Sequence, residues 1–559
     1  MKNNPMKIKV LFTLLLVCMI VVIRCKSYRQ TEYNKIVAEA PFEIEDFVLP
    51  VFRNAVYHIE NFGAKGDGIK NNTEAINNAI IECNRNGGGK VIIPDGIWLS
   101  GPIVLLSNVN LHLEKNAVLQ FIKDRRKFPV VKSKYELENR YKCHPQIYAV
   151  DQENIAITGT GVIDGAGEYW RPVKKLKMTN RQWEELIKTE GYLSEDEQIW
   201  YPGEREFRGR NMMDSIQANI GKGLDETFGL FGYDRPKMFH AENCKNILIQ
   251  GVSFQNSPVW CIHPLLCENV VLMDIFVRNP WYSQNGDGLD LESCRHSLVY
   301  NCIFDVGDDA ICVKSGKDKE GRDRGVPTEK LIVAKNTVYH GHGGFTIGSE
   351  MSGGVKDVYV TDCKFLGTDI GLRFKSAYER GGVVENIHIN NIYMTQIPAD
   401  AIRFTMAYTG GAPMETKMHP NISDSINNRE KDEKIPTFKN FNISDIVIHE
   451  ANKALTITGI PGPYMQDISI RNMIAVTAKG VECSAAQNIF LDAIQFIVLQ
   501  GSTIRLSNTQ RFSVKNSTSN FISEAFIEVQ DSLTSGIALS NNKLPEGMMK
   551  VKRYKTSGY

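Results

Sequence analysis

Short apolar runs separated by polar residues recur along the chain from about residue 245. Each unit is a β-branched run, then Asn, Asp or Gly, then another short run, with no helical period between them. The pattern predicts strand, turn and strand, repeated many times. The apolar runs of the six clearest units begin at Ile247, Val270, Leu298, Leu331, Val358 and Ile387, so the steps are 23, 28, 33, 27 and 29 residues.

The length of this repeat predicts a parallel β-helix, an all-β fold. Three strands of about five residues and three short turns need roughly 22–28 residues, which is one coil. Equivalent strands of successive coils then stack about 4.8 Å apart. Leucine-rich repeats fit worse because the Leu-x-x-Leu-x-Leu signature is missing. Propeller blades also fit worse, because they are longer and carry four strands.

The predicted β-helix forms a single domain over residues 45–545, interrupted by one insertion at about 166–237. Within the insertion the chain becomes charged and aromatic, and Arg181–Thr189 are predicted to form a helix. We expect the insertion to lie over one end of a cleft. A chain of 559 residues could hold several domains by length alone, but repeat folds grow without splitting.

The N-terminus predicts a targeting segment. Three lysines precede a run of fourteen residues, Val10–Ile23, that is apolar except for Thr13. A membrane-spanning helix needs about 20 apolar residues, so residues 1–25 are predicted to be a signal peptide or a lipoprotein leader. In the second case Cys25 would carry the lipid, although Arg24 matches poorly the small residue expected before it. We expect export to the periplasm or the cell surface of a bacterium.

The composition argues against several classes of binding partner. Lys+Arg 65 against Asp+Glu 64 gives a net charge of +1, so no global field favours nucleic acid, and membrane contact is expected only through a lipid on Cys25. Ten of the twelve cysteines follow the leader and lack CxxC pairs and metal-ligand spacing, so neither a metal nor a cofactor is predicted. Disulfides stay open. The apolar flanks of Cys302, Cys312 and Cys363 predict small buried side chains.

Candidate chemistry is concentrated in polar clusters that follow one another at about one repeat or less. Because Asp287 and Asp308 are 21 residues apart, we expect the aspartates to meet across one rung of the helix. Crowded carboxylates raise the pKa of at least one of them, and glycosidases use a raised acid beside an ionised base. Gly-Asp-Asp alone is commonly only a turn, but its alignment with Asp287 and His342 favours a site. The clusters are Asn285-Gly286-Asp287, Gly307-Asp308-Asp309, Gly341-His342-Gly343, Ser349-Glu350 and Arg373-Phe374-Lys375.

Arg373 and Lys375 are two residues apart, so in a strand they share a face. Two interpretations of this cationic pair are compatible: it binds a carboxylate of a substrate, or it neutralises the aspartates. Strict alternation along a strand places Asp290 and Glu292 opposite Asp287, and the predicted site therefore excludes both.

Four of these clusters resemble, in order, the motifs of the polygalacturonase family, glycoside hydrolase family 28, whose members are right-handed parallel β-helix enzymes that cleave pectin. The family motifs are Asn-Thr-Asp, Gly or Gln before Asp-Asp, Gly-His-Gly, and Arg-Ile-Lys. The opening Asn61–Gly68 is also similar to the family's N-terminal region, and the match spans roughly residues 56–480. Gly286 replaces Thr and Phe374 replaces Ile. These departures leave the charged groups unchanged and bear on the shape of the cleft.

The resemblance implies an inverting hydrolase of α-1,4-linked galacturonic acid in pectin or oligogalacturonides. The Gly-His-Gly cluster favours galacturonate on both sides of the cleaved bond. The implied roles are Asp308 as general acid, Asp287 and Asp309 as the carboxylates that activate water, His342 orienting Asp308, and Arg373, Lys375 and Asn285 in substrate binding.

The long insertion favours exo action from the non-reducing end, because relatives with one end of the groove closed are similar in carrying extra segments. A pectic poly- or oligosaccharide is the predicted partner, and the oligomeric state stays open. Three alternatives remain: a calcium-dependent pectate lyase on the same fold, a hydrolase of a substituted pectin such as rhamnogalacturonan, and a non-catalytic carbohydrate-binding β-helix.

Overall fold

The computed structural model describes residues 32–135, 141–209, 234–408, 433–520 and 524–554. The predicted leader, with Cys25, and residues 210–233 of the insertion lie outside the described residues. The chain divides into two compact units, residues 1–48 and 49–559. In the first unit residues 32–39 are helical. In the described part of the chain, no helix combines the length and the apolar composition needed to cross a membrane.

The second unit is a right-handed parallel β-helix, and the prediction of this fold is confirmed. Its strands form three stacks, in which each strand pairs in parallel with the equivalent strand of the neighbouring coil. Stack 1 contains Val56–His58, Gly89–Ile93, Val109–Leu113, Glu153–Gly159, Lys245–Gln250, Glu268–Met273, Arg295–Tyr300, Thr328–Ala334 and Val355–Phe365. Stack 2 contains Asp67–Asn71, Gly96–Ser100, Ala117–Phe121, Val162–Asp164, Ser253–Gln255, Phe276–Arg278, Ile303–Asp305 and Thr337–Val338.

Stack 3 follows stack 2 in each coil and carries the candidate site. It contains Ile103–Val104, Ile147–Val150, Phe239–Glu242, Ile262–Leu265, Leu289–Glu292, Ile311–Lys314, Gly343–Ile347 and Ile370–Lys375. Beyond it, longer strands continue through the corners of the coils and extend all three stacks. These are Val383–Thr405, Thr437–Thr458, Gln466–Val498 and Ile504–Lys515, followed by Thr518–Ser519, Ala525–Val529, Ala538–Ser540 and Met549–Arg553.

The remaining elements are short. The α-helices include Thr73–Arg85, Asn180–Leu186, residues 204–209 and Asp318–Arg324, and the 3₁₀ turns include Ile59–Phe62, Arg125–Lys127, Gly167–Tyr169 and Lys175–Lys177. Val130–Lys132 pairs antiparallel with Tyr141–Cys143. In the insertion, Ile199–Tyr201 pairs antiparallel with Val173–Lys174 and Tyr192–Leu193. The predicted insertion helix is present, and Thr179 and Gln182 cap its first turn with reciprocal hydrogen bonds.

The polar residues between the apolar runs have a conformational reason. Asp274, Asn301 and Asn391 occupy the left-handed region with φ of 57°, 51° and 50°, which Asn and Asp tolerate better than β-branched residues do. Equivalent side chains also bond along the stack: Asn301 Nδ2 donates to Asp274 Oδ1 at 2.6 Å. Asn and Asp therefore mark the corners of the coils.

The paired register corrects one predicted unit. Val270 pairs with Ser297, and Leu298 pairs with Val271, so the third unit begins one residue earlier than its first large apolar side chain. The pairs continue through Leu331, Val358 and Ile387. The sequence pattern missed this offset because Ser297, although fully buried, is polar.

Stack 3 separates an apolar inner column from a polar outer one. Leu289 pairs with Ile311, Ile311 with Phe345, and Phe345 with Leu372, and all four are fully buried. The residues that follow each of them point outward. The core therefore fixes the height and the direction of every outward side chain on this face.

Phe374 lies in the core and not in the cleft, so the expectation that it alters the cleft shape is wrong. Its ring is fully buried and stacks on Phe404 with centroids 4.5 Å apart, and Phe441 meets it edge-on at 5.0 Å.

We expect Phe374→Ile, which restores the family residue, to lower the free energy of unfolding by about 1–2 kcal/mol, because the aromatic contacts are lost. The kcat should stay unchanged because the side chain faces inward. The melting temperature and the turnover rate of the variant check this. A stable variant with a changed KM would place Phe374 in the cleft instead.

The ten cysteines Cys83, Cys143, Cys244, Cys261, Cys267, Cys294, Cys302, Cys312, Cys363 and Cys483 are buried and free of disulfides in the described part of the chain. The prediction that Cys302, Cys312 and Cys363 are small buried side chains is confirmed.

Candidate active site

The predicted site residues converge on the turns that lead from stack 2 into stack 3. Asp287 lies two residues before the strand Leu289–Glu292, and Asp309 lies two residues before Ile311–Lys314. The backbone N–H of Gly288 donates to the carbonyl of Asp309 at 3.0 Å. Oxygens of Asp287, Asp308 and Asp309 lie within 4.8 Å of one another. Residues 21 and 22 positions apart therefore meet on neighbouring coils, as the repeat length predicts.

The cationic pair neutralises one of these aspartates. Lys375 Nζ donates to Asp309 Oδ2 at 2.7 Å, and Arg373 donates to Oδ1 at 2.9 Å. Asp309 is only 1% exposed. Burial alone would raise the pKa of its carboxyl, but Lys375 and Arg373 outweigh burial and hold that pKa far below its usual value. Asp309 is therefore ionised.

Asp308 faces the imidazole of His342. Asp308 Oδ1 lies 3.0 Å from His342 Nδ1, and the backbone N–H of His342 donates to the Asp308 carbonyl at 2.9 Å. Burial raises the pKa of the Asp308 carboxyl, but the hydrogen bond from His342 and the positive charge of Lys375 lower it, and the net direction is downward. The Asp308 side chain is 18% exposed and the His342 side chain 30%. They are the parts of this cluster that a ligand can reach.

The pKa of Asp287 is shifted in the opposite direction. Burial, reinforced by the carboxylates of Asp290 and Asp308, raises the pKa of Asp287 well above its ordinary value. Its Oδ1 is buried without a hydrogen-bond partner. Within the trio, burial and like charges therefore favour the protonated form of Asp287, while Lys375 and Arg373 favour the ionised form of Asp309.

Asp290 does not line the pocket, but the strict alternation that placed it opposite Asp287 does not apply. The strand begins only at Leu289, so Asp287 precedes it and strict alternation does not relate the two aspartates. Asp290 is fully buried with neither carboxylate oxygen hydrogen-bonded, and Lys314 Nζ lies 3.5 Å from it. Burial raises the pKa of Asp290 to about 7. The glycines flanking Asp287 were the sequence signal for this break in the strand.

Glu292 lies outside the aspartate trio and does not line the pocket. It is two residues beyond Asp290 in the strand and accepts hydrogen bonds from His263 at 2.9 Å and from Arg324 at 2.7 Å.

Two glycines make the close approach of these groups sterically feasible. A Cβ on Gly343 would lie 2.1 Å from Thr346 Oγ1 and 2.9 Å from Asp309 Oδ1. A Cβ on Gly286, where the family motif has Thr, would lie 2.0 Å from Ser283 Oγ. Gly286 is thus matched to Ser283 in this chain, and the departure from the motif leaves the aspartates in place.

The predicted substrate-binding residue Asn285 supports Asp308 through hydrogen bonds. Its backbone N–H donates to Asp308 Oδ2 at 3.2 Å, and its side-chain Oδ1 accepts from Arg235 at 3.0 Å. Asn285 therefore orients Asp308 and also lines the pocket next to it.

A pocket of about 520 Å³ opens beside Asp308 and His342. Sequence reasoning missed most of its other walls, because they come from distant segments. The lining residues include Lys174 and Lys177 from the insertion, Tyr282, Asp369, Arg373, Arg403 and Tyr408. Four cationic side chains, Lys174, Lys177, Arg373 and Arg403, therefore line the pocket together with Asp308, which suits a ligand that carries carboxylates.

The three aspartates also suit a divalent cation in principle, because carboxylate oxygens are hard ligands. However, both oxygens of Asp309 are already bound by Lys375 and Arg373. A cation placed among the aspartates would lie beside the ammonium group of Lys375 and the guanidinium group of Arg373. This donor set disfavours the calcium-dependent alternative.

A second buried polar cluster lies on stack 3, before the aspartates. His240 and His263 stack with centroids 4.6 Å apart, and Lys142 and Glu242 both contact His240. Burial, reinforced by the charge of Lys237, lowers the pKa of His263 to about 4, although Glu292 opposes this.

This cluster predicts a loss of stability in mild acid. The unfolded chain protonates His263 near pH 6.5, whereas the folded protein resists protonation down to about pH 4. Stability is therefore complete above about pH 6.5 and falls as the pH drops toward 4, by about 3 kcal/mol from this residue. Melting temperatures from pH 7.5 to 4 measure the loss. His263→Asn should flatten the slope, and an unchanged slope would contradict the assignment.

Comparisons with known proteins agree with this geometry. The family model of the glycosyl hydrolases family 28 matches residues 226–426, which include every residue of the aspartate cluster. The chain is 27% identical over 436 residues to a probable polygalacturonase of Vitis vinifera, covering 75% of each protein. It is 26% identical over 419 residues to an exo-poly-α-D-galacturonosidase of Dickeya chrysanthemi, covering 72% of this chain and 64% of that protein.

A solved structure shares the fold over most of its length. It is a hyperthermoactive exopolygalacturonase of Thermotoga maritima, with a TM-score of 0.63 and 29% identity. The match covers 86% of this chain and 95% of that one.

Proposed function

The chain belongs to glycosyl hydrolases family 28, and from this premise we propose that it hydrolyses α-1,4-linked galacturonic acid in pectin or oligogalacturonides. The observation that carries the proposal is the aspartate cluster, in which burial and charge shift the pKa values of neighbouring carboxyls in opposite directions. The protonated form is favoured for Asp287 and the ionised form for Asp309. Glycoside hydrolysis needs an acid and a base side by side.

Within this proposal Asp308 is the general acid. It is the member of the aspartate trio that lines the pocket, whereas Asp287 and Asp309 are 4% and 1% exposed. The proton that burial holds on the cluster has only a few ångströms to move to reach Asp308, since the oxygens lie within 4.8 Å. Asp308 then protonates the glycosidic oxygen, while Asp287 and Asp309 activate the attacking water.

The cations supply specificity for uronic acids. Arg373 donates a hydrogen bond to Asp309 from one nitrogen, and Arg373 also lines the pocket. Lys375 is buried against Asp309 and acts on substrate through that carboxylate. A galacturonate carboxylate binds where Arg373 and Arg403 present donors, and a neutral sugar gains nothing there.

Stereochemistry rests on the family resemblance. Most inverting glycosidases have carboxyl groups about 6.5–9.5 Å apart, and retaining enzymes about 5–5.5 Å. The spacing here is within 4.8 Å and by itself favours retention, whereas the resemblance implies inversion. We propose inversion, so the first product from the α-linkage is a β-anomer.

We further propose exo action from the non-reducing end. The insertion leaves the β-helix after the strand Val162–Asp164 and rejoins it at the strand Phe239–Glu242. That strand lies two rungs, about 10 Å along the stack, before the strand that follows Asp287. Lys174 and Lys177 of the insertion line the pocket with Asp308. These contacts support a cleft that is closed on that side and admits a chain terminus.

Export is proposed on the sequence of residues 1–25, with the periplasm or the cell surface as destination and a lipid on Cys25 as one of two forms. Pectic polymers are too large to enter a cell intact, and an exported hydrolase would meet them outside.

Time-resolved proton NMR of the purified protein acting on a saturated oligogalacturonate tests the function. Early β-anomeric signals and products of only one or two sugars are expected. Early α-anomer would mean retention, and a ladder of intermediate lengths would mean endo action. An unsaturated product that disappears with a chelator would replace hydrolysis by lyase chemistry.

A further inference from the structure

A lysine of the insertion touches the histidine of the active site. Lys177 Nζ lies 2.6 Å from His342 Nε2, although the two residues are 165 positions apart. The other ring nitrogen, Nδ1, lies 3.0 Å from Asp308 Oδ1. The imidazole is therefore held at both nitrogens, by a cation on one side and by an aspartate on the other.

The chemistry of the three groups fixes where the imidazole proton lies. A lysine ammonium has three donors and no acceptor, so Nε2 must accept from Lys177 and carries no proton. The remaining ring proton of a neutral imidazole is then on Nδ1 and is donated to Asp308. Asp369 Oδ2, at 3.8 Å from Nε2, is too far to accept a hydrogen bond in place of Lys177.

The position of Lys177 is set by packed structure. Lys177 ends the 3₁₀ turn Lys175–Lys177, directly after the strand Val173–Lys174, which pairs with Ile199 and Trp200. Val173, Trp183 and Trp200 form a buried apolar cluster, and Tyr282 packs against it. Tyr282 belongs to the same turn as Asn285, so the insertion and the catalytic turn share one packed core.

Arg171 anchors the start of the insertion as well. It is buried and donates to the Ser257 carbonyl and, at 2.7 Å, to Asn256 Oδ1. The segment that carries Lys177 is therefore tied to the β-helix on both sides.

We propose that Lys177 is a positioning residue of the proposed hydrolase: it holds His342 as the neutral tautomer protonated on Nδ1, which in turn orients Asp308 toward the glycosidic oxygen. The inference rests on the proposed function for its kinetic consequence, but the tautomer itself is a property of the free protein. The insertion then has a second role besides closing the cleft, because it completes the hydrogen-bond chain behind the acid.

The direct test is nitrogen-15 NMR of protein labelled in its imidazole rings. The His342 signals are assigned by their loss in His342→Asn among the 11 histidines. The wild-type protein should show a protonated Nδ1 and an unprotonated Nε2. Lys177→Met, which keeps the length of the side chain but removes its donors, should convert this signature to mixed tautomers or to the imidazolium form.

Kinetics provide the second readout. In Lys177→Met we expect kcat to fall about 10-fold with KM changed less than about 2-fold, a part of the roughly 10²–10⁴ that a positioned acid contributes. Lys177→Arg retains an N–H donor and should restore the tautomer and most of kcat. Lys188→Met makes the same change at an exposed lysine of the same insertion and should behave as wild type, with equal melting temperatures showing that all variants are folded.

An unchanged His342 signature in Lys177→Met would overturn the proposal, and so would equal losses in Lys177→Arg and Lys177→Met. Failure of the wild-type protein to cleave an oligogalacturonate would overturn the proposed function alone, because the tautomer measurement requires no substrate.

Discussion

Replacing Asp308 with asparagine is expected to lower kcat on oligogalacturonate by about 10²–10⁴-fold while leaving the protein folded. The amide keeps the shape of the side chain but cannot deliver a proton to the glycosidic oxygen. The carboxylate also accepts from the backbone N–H groups of Asp309 at 3.0 Å and Asn285 at 3.2 Å. An amide oxygen can preserve one of these bonds, so the melting temperature should change little.

The chain offers a matched control for this variant. Asp305 Oδ1 lies 2.8 Å from His340 Nδ1, an aspartate–histidine pair like Asp308–His342 but outside the pocket, with the His340 side chain 61% exposed. Asp305→Asn should retain wild-type kcat. Steady-state rates of both variants are compared with wild type at one pH, with KM measured separately. Residual activity above about one tenth of wild type in Asp308→Asn would move the acid to another carboxyl, with Asp287 the next to replace.

The second large effect is expected on stability, from Lys375→Met. The Lys375 and Asp309 side chains are 7% and 1% exposed, and breaking a buried ion pair from one side costs about 3–5 kcal/mol because a charge is left without its partner. Arg373 remains at 2.9 Å from Asp309 and should keep the loss near the lower end of that range. Urea or thermal unfolding at pH 7 gives the change, and turnover should be lost as well.

Two further variants make this result interpretable. Lys375→Met combined with Asp309→Asn should recover part of the lost stability, since the buried charge is gone, without recovering activity. Lys356→Met removes a lysine from a more exposed pair with Glu329 at 2.9 Å, where the lysine side chain is 43% exposed, and should cost less than about 1 kcal/mol. Equal losses for Lys375→Met and Lys356→Met would contradict a buried charge at Asp309.

Periodicity carried most of the fold prediction. The alternation of β-branched runs with Asn, Asp and Gly reflects two local requirements, an apolar inner column and left-handed corners, and both can be read from single residues. The same repeat length predicted that Asp287 would meet Asp308 and Asp309, because their separation equals one coil. Only the register at Ser297 deviated, where a buried polar residue hides the start of its unit.

The remaining features depend on information that single residues do not carry. The charge of Asp290 acts on Asp287 because the strand begins only at Leu289, and strand ends are set by tertiary hydrogen bonds. Phe374 faces inward because of its position in the paired strand, whatever its size. Lys177 meets His342 through the folding of an irregular insertion, for which no periodic rule exists.

The stacking of the coils also determines how the molecule comes apart. Leu372, beside the cationic pair, is followed along stack 3 by Ile402, Leu455, Val481, Ile504, Ile527 and Val551. Six rungs of about 4.8 Å place the last one about 29 Å from Leu372, which itself lies two rungs beyond the strand that follows Asp309. In a solenoid each coil is stabilised only by its neighbours. Unfolding can therefore begin at the C-terminal coils while the coils that carry the aspartates stay folded. On heating, the C-terminal coils would then unfold before the active site loses its activity.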